Sequence, residues 1–311
     1  MSVKNQKTMN RKIMLIISLL TISHLFSQQI PDTIYSPEVT VKMYPKKSGT
    51  TIHIDQGHRN FHTKDNRFLP FAKLVAKDGY KVAGFEGKFE KDKLKDLKIL
   101  VISNALSENS RPPFVAPTES AFSKNEINNV KEWVKNGGSL FLIADHMPFA
   151  GASANLAKAF GFTFYDSFVM DPDDKGIFDF SRKNKMLSHN MITNGRNIKE
   201  RINRIRTFTG QGFKTPEKAT SILNLKKEYT VFITDTMWVF NENTPRISAE
   251  NLSQGAVLEY GKGRIAVFGE AAMFTAQIAG RDRVKVGMNS AEAAENYQLL
   301  LNLIHWLDKV Y

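Results

Sequence analysis

The stretch Gly137-Gly138-Ser139-Leu140-Phe141-Leu142-Ile143-Ala144-Asp145-His146-Met147-Pro148-Phe149-Ala150-Gly151 runs from a sharp turn through a buried strand to a polar tip. The glycine pair ends a helix, where a left-handed backbone is needed. Residues 140–144 form an unbroken apolar run, short enough for a strand covered on both faces. Such strands belong to parallel sheets with helices on either side. Asp145 and His146 then fall at the strand's carboxyl end, where open α/β sheets bind ligands. Asp145 also suits a plainer task, pinning the next loop through backbone hydrogen bonds.

The same alternation extends outward in both directions. Upstream, Ser123 and Glu126 have capping-box spacing at the start of a helix. Ile127, Val130 and Val134 share one face of it, with Trp133 beside them. Residues 98–103 read as a strand ending at Asn104, and residues 50–55 as a first strand ending at Asp55. Between them lie a helix over 68–77, with Pro70 tolerated in its first turn, a strand over 80–85 and a charged turn over 91–96. The loop 105–121 is long enough for a functional flap.

Downstream, a helix is expected over about 152–160, and the pattern then loosens. Residues 162–169, 204–212 and 219–225 read as strands, the last two mixed or antiparallel. Residues 170–197 show no clear period. Residues 255–260 and 264–268 flank Gly261-Lys262-Gly263 as a hairpin, with Glu270 just beyond. Residues 289–310 close the chain as a helix with Tyr297, Leu300, Ile304 and Leu307 on one face. The order predicts an α/β fold with a mainly parallel sheet and helices on both faces.

Four predicted strands thus end in polar residues: Asp55, Asn104, Asp145-His146 and Glu270. In a parallel sheet these ends share one edge. The loop Asp55-Gln56-Gly57-His58-Arg59-Asn60-Phe61-His62-Thr63 adds two imidazoles. If it coils into a helical turn, His58 and His62 share a face and reach one ion. Asp55, His58, His62 and Asp145 are therefore the candidate metal ligands, a set suited to zinc or manganese. His146 and Glu270 are the candidate catalytic pair. Asn104, Asn60 and Arg59 are the candidate substrate-binding residues. A basic stretch from Arg182 to Arg206 reads as a solvated face or an anion site. No Gly-x-Ser-x-Gly elbow occurs, so a serine mechanism of the α/β-hydrolase kind has no support.

Of the 311 residues, 42% are apolar and none is cysteine. A chain of this length can hold a stable core without disulfides. Lys4, Lys7, Arg11 and Lys12 precede a short apolar run over 13–26, and Ser27 offers a cleavage site. Residues 1–27 therefore read as a signal peptide, residues 28–49 as a linker or edge segment, and residues 50–311 as the folded domain. The expected location is the periplasm or the medium, with no stable membrane anchor. Net charge is +12, and the four cations of residues 1–27 leave about +8 on the mature chain. That charge permits contact with anionic glycans or lipid surfaces, while export argues against nucleic acid as a partner.

Trp133 to His146 resembles the central strand of class I glutamine amidotransferase-like domains, the trehalose-utilisation family among them. His189-Asn190-Met191-Ile192-Thr193-Asn194-Gly195 is similar to a His-Pro-Ile-Thr-x-Gly segment of those proteins, with Asn-Met in place of Pro. Residues 261–270 resemble their closing strand. The resemblance covers residues 50–311 and implies a flavodoxin-like sheet. It does not carry the reaction across, because the amidotransferases use a cysteine nucleophile after the central strand, and this chain has no cysteine. Glutamine hydrolysis by that route is excluded. Two readings stay open: a metal-assisted hydrolase or isomerase acting on a carbohydrate-like substrate, and a non-catalytic glycan-binding or scaffold domain.

Overall fold

The computed structural model describes residues 29–310. The expected signal peptide lies outside the described residues. Among those described, no helix is long and apolar enough to cross a membrane.

Five strands run parallel: β1 (Thr51–Asp55), β2 (Lys81–Phe85), β3 (Ile99–Ser103), β4 (Ser139–Ile143) and β5 (Gly263–Phe268). Their spatial order is β2-β1-β3-β4-β5. The nine-stranded sheet continues past β5 with antiparallel strands, Ser253–Tyr260, Phe213–Lys214, Thr163–Phe164 and Thr220–Asn224. The expectation of parallel pairing holds for the first half of the sheet and gives way where the chain returns through hairpins. Smaller antiparallel sheets surround this one. In one of them Gln29–Pro31 is an edge strand against Ala276–Ala279.

Helices cover both faces of the parallel half. On one side α1 (Leu69–Lys77) and the closing helix α4 (Asn296–Leu307) pack on Ile52, Ile54, Phe141 and Phe268. On the other, α2 (Lys124–Lys135) and α3 (Phe149–Lys158) pack on Leu100, Ile102, Leu140 and Leu142. Alternate residues of β4 therefore enter different cores, which explains why the whole run is apolar. Gly137 has φ +122°, and a Cβ at Gly138 would meet the Trp133 ring at 2.1 Å. The glycine pair thus supplies both the left-handed turn and the close approach of helix to strand.

Two expectations need correction. The closing helix begins at Asn296, after a short 3-10 turn, and is buried from Leu299 to Leu307 with no exposed face. It is sandwiched between the main sheet and the segment around Ile192 and Glu200, whose carbonyls accept from Asn302. Residues 170–197, which show no period, contain the strand Ile177–Ser181, paired with Arg204–Phe208.

Candidate active site at the carboxyl edge

The parallel register places the ends of β1, β3, β4 and β5 along one edge, and Asn104 ties three of them together. Its N–H donates to the Ile143 carbonyl at 3.0 Å and its carbonyl accepts from Phe61 N–H at 2.9 Å. Its side-chain oxygen accepts from Asp145 N–H at 2.9 Å. Asn104 sits at φ +47°, a conformation asparagine tolerates better than most residues. Its first task is therefore to position the edge. Arg59 has a comparable task, donating from Nη1 to the Ser107, Glu108 and Ser110 carbonyls and so fixing the start of the long loop.

At β1 the carboxylate and imidazole expected from the sequence do meet. His58 Nδ1 lies 2.9 Å from Asp55 Oδ2, and Asn60 Nδ2 donates to the same oxygen at 3.0 Å. His58 Nε2 lies 2.9 Å from Glu126 Oε1. The ring packs against Phe89 and Phe122, which also touch each other. Burial opposes charge on His58, but the two carboxylates prevail and raise its pKa. Glu126 also feels a burial penalty, outweighed by His58, Ser123 and the Phe89 N–H, which hold it down to about 2.

His62 is not brought to the same place. The loop after β1 forms no helical turn through His58, so the helical spacing that would align the two imidazoles is absent. His62 is buried beside Phe61 and Phe68, and neither ring nitrogen has a partner. Burial, with Arg67 nearby, pushes its pKa down to about 3. Among the described residues, no group of three or more His, Asp or Glu side chains stands ready to hold a metal ion.

The ends of β4 and β5 bring Asp145 and Glu270 together. Glu270 is sealed from solvent, and its two oxygens accept from Ala272 N–H at 2.6 Å and Met273 N–H at 2.8 Å. Burial and then the Asp145 charge raise its pKa well above the carboxylate range. Asp145 keeps part of its surface open although protein surrounds it on most sides. Burial raises its pKa too, against the opposing pull of His146 and of nearby amides. Two carboxyls in one buried place do not both ionise readily, so charge on one disfavours charge on the other.

His146 lies next to Asp145, and its N–H donates to Asp145 Oδ1 at 2.8 Å. Its Nδ1 is 2.6 Å from the Met147 carbonyl oxygen, which can only accept. In the neutral ring the proton therefore sits on Nδ1, which leaves the lone pair on Nε2. Nε2 is not among the sealed atoms that lack partners. The ring stacks on Phe168 at 4.5 Å and meets Trp238 edge-on at 4.7 Å.

Sequence reading did not single out Trp238, which is 51% exposed and reaches this site from a remote loop. That loop joins the predicted flap: Ala116 N–H donates to the Asp235 carbonyl and Met237 N–H to the Phe114 carbonyl. Nor did it single out Asp166 or Gln211. Asp166 interacts with His146 and anchors Thr118 of the flap. Gln211 Nε2 donates to the Ala144 carbonyl at 2.8 Å, while its side-chain oxygen is buried without a partner. The glycines flanking Gln211 were its one sequence signal. The basic stretch is largely spent internally, Arg196 on Glu200 and Arg204 and Arg206 on Asp179.

No protein-family model matches the sequence, and no curated protein matches it. Among solved structures, the mmIFT52 N-terminal domain is similar, with 13% identity, a TM-score of 0.54 and coverage of 83% of this chain and 97% of that one. A thua-like protein from Bacteroides uniformis aligns with 10% identity, a TM-score of 0.42 and coverage of 88% and 94%. A GMP synthase-like protein from Thermoplasma acidophilum aligns with 12% identity, a TM-score of 0.43 and coverage of 84% and 95%. At such identities a likeness concerns the fold alone.

Proposed function

We propose that the chain is a flavodoxin-like, class I glutamine amidotransferase-like domain that carries out acid–base hydrolysis or isomerisation of a carbohydrate-like substrate. The observation that carries this reading is a buried carboxyl pair, Asp145 and Glu270, in which burial disfavours charge, beside an imidazole that commits Nδ1 to a carbonyl and leaves Nε2 uncommitted. General acid–base catalysis needs these two kinds of group within reach of one substrate. In this reading Asp145, the member with open surface, gives its proton to a leaving or carbonyl oxygen. His146 Nε2 takes a proton from water or from a substrate C–H or O–H. Glu270, whose own charge is disfavoured by burial and by Asp145, lies beside it without adding a second charge. Trp238 supplies an apolar face for one side of a sugar ring.

A divalent ion was the sequence-level expectation. His58, a principal donor for it, spends both nitrogens on carboxylates, so no step is routed through a metal. Export to the periplasm or medium belongs to the same proposal and rests on the sequence of residues 1–27.

The alternative, a non-catalytic glycan-binding domain, draws support from the exposed rings of Trp238 and Phe240. A panel of aryl glycosides and of free aldoses and ketoses, assayed with the wild type, His146→Ala and Glu270→Gln, separates the two. Turnover by the wild type that both variants lose supports the enzyme. Turnover that survives in both variants removes these residues from the reaction. Sugar binding without turnover selects the binding domain.

A further inference from the structure

A second site lies at the opposite edge of the sheet, where β3, β4 and β5 begin. An open groove of about 710 Å³ is lined there by Lys91, Lys95, Lys98, Lys262 and Lys309, with Glu132 the one acidic residue. Among the described residues Lys91, Lys98 and Lys262 have no carboxylate partner within 4 Å, and Lys95 meets only exposed Asp92, at 3.5 Å. Lys309 is held in place by the Gly137 and Lys262 carbonyls at 2.8 and 2.7 Å. Glu132 faces Lys135 at 3.8 Å. Like charges gathered this closely repel one another at low ionic strength, and a polyanion would relieve that repulsion.

The lining narrows the ligand class. Every cation in the groove is a lysine, a point charge without the planar fork that clamps one carboxylate or phosphate bidentately. The lysines come from several chain segments, which suits several separated charges better than one ion. Asn129 and Asn136 add amide groups for hydroxyls. The one aromatic, Trp133, is 8% exposed and spends its Nε1 on the Leu97 carbonyl. It offers no stacking platform for nucleobases. A concave groove also suits a chain better than it suits a flat lipid surface.

We propose that this groove binds an acidic polysaccharide, a sugar chain with a carboxylate on successive residues. The inference is independent of the acid–base reading of the carboxyl edge. The test is calorimetric titration of the protein with a galacturonate hexamer and with its methyl ester, which keeps the chain and removes the charge. The hexamer should bind more weakly as salt rises, and the ester should bind at least roughly tenfold more weakly than the acid. The double change Lys98→Glu and Lys262→Glu should cost the acid roughly tenfold or more, and Lys98→Gln with Lys262→Gln a smaller amount. His146→Ala should bind the hexamer as the wild type does, so that failure at the carboxyl edge does not affect the result. Absence of hexamer binding at low salt, equal affinity in the lysine variants, or tighter binding to anionic vesicles or single-stranded DNA would overturn the proposal.

Discussion

Two imidazoles sit on the same edge of one sheet, and they are used in opposite ways. His58 follows β1 and has a carboxylate on each nitrogen, with two phenylalanine rings packed against it. His146 follows β4, gives one nitrogen to its neighbour's carbonyl and keeps the other open. Position at a carboxyl edge thus nominates a residue for chemistry without assigning it any. What decides is how many of its polar atoms the fold has already consumed. By that measure the β1 end is a structural clamp between the first strand and α2, and the β4–β5 end is the place with reactive capacity left.

The largest expected effect breaks the clamp. His58→Ala leaves Asp55 and Glu126 buried without their shared partner, and loss of one member of a buried charged network typically costs about 3–5 kcal/mol. Urea unfolding should show that loss. A cost under about 1 kcal/mol, in the range of an exposed ion pair, would mean that the clamp is not structural.

Acid should act on the same region. Glu126 stays ionised in the fold down to about 2 against an ordinary 4.5. Between those values the unfolded chain binds more protons, so stability falls as pH drops through this window. His62 is held neutral down to about 3 against an ordinary 6.5 and adds a loss in the same direction over that wider range. Glu126→Gln should flatten the lower part of the stability-against-pH curve. An unchanged slope below pH 4 would show that His58 and Ser123 do not hold the Glu126 carboxylate ionised.

The β4–β5 end should show the opposite sign. Asp145 and Glu270 have raised pKa values, so the fold holds a proton that the unfolded chain has released. Stability contributed by that proton is present below the ordinary carboxylate range and is lost as pH rises through the raised values. Glu270→Gln removes the repulsion, but it turns an amide NH₂ toward one of two backbone N–H donors. That mismatch costs about 1–3 kcal/mol. The informative quantity is therefore the slope: it should flatten on the alkaline side even though the absolute stability drops. A slope unchanged from wild type would mean that the two carboxyls do not share a proton.

The sequence made local features legible and left remote pairings hidden. Ser123 and Glu126 announce a capping box because both partners lie within one helical turn, and the structure contains that box. The second partner of Glu126, His58, is 68 residues away, and no spacing rule reaches it. The central strands β3, β4 and β5 were readable because burial on both faces leaves an unbroken apolar run, and β1 because Ile52 and Ile54 alternate with polar residues. Of the antiparallel strands joined to them, Thr163–Phe164 and Phe213–Lys214 span two residues each, too short for any period. In Ile177–Ser181 the buried Phe178 and Phe180 do alternate, but the charged surroundings obscure the pattern. The helix expected from about residue 152 starts earlier, and Gly151 lies inside α3, where a Cβ would fall 2.4 Å from Asp166 Oδ2. The four polar strand ends were found correctly. Their division into a closed and an open group depends on side chains arriving from elsewhere, Glu126 at one end and Phe168 and Trp238 at the other.

The smallest expected change in stability is the most informative about function. His146→Ala removes a ring that is 9% exposed and whose one hydrogen bond runs to the adjacent residue's carbonyl. No buried charge loses its only partner, so the cost should come from lost contact with Phe168 and Trp238, about 1–2 kcal/mol. That is less than His58→Ala should cost if the clamp reading is right. The two variants should then separate in a second measurement. A sugar that raises the melting temperature of the wild type should lose that effect in His146→Ala. In a His58→Ala protein kept below its lowered melting point, the same sugar should still bind. Equal destabilisation by both variants, or ligand response lost through His58 and kept without His146, would reverse the assignment of the open and closed ends. His146→Gln sharpens the result further. It keeps a polar side chain of similar reach but has no titrating nitrogen, so binding that survives while turnover disappears would mark Nε2 as the base.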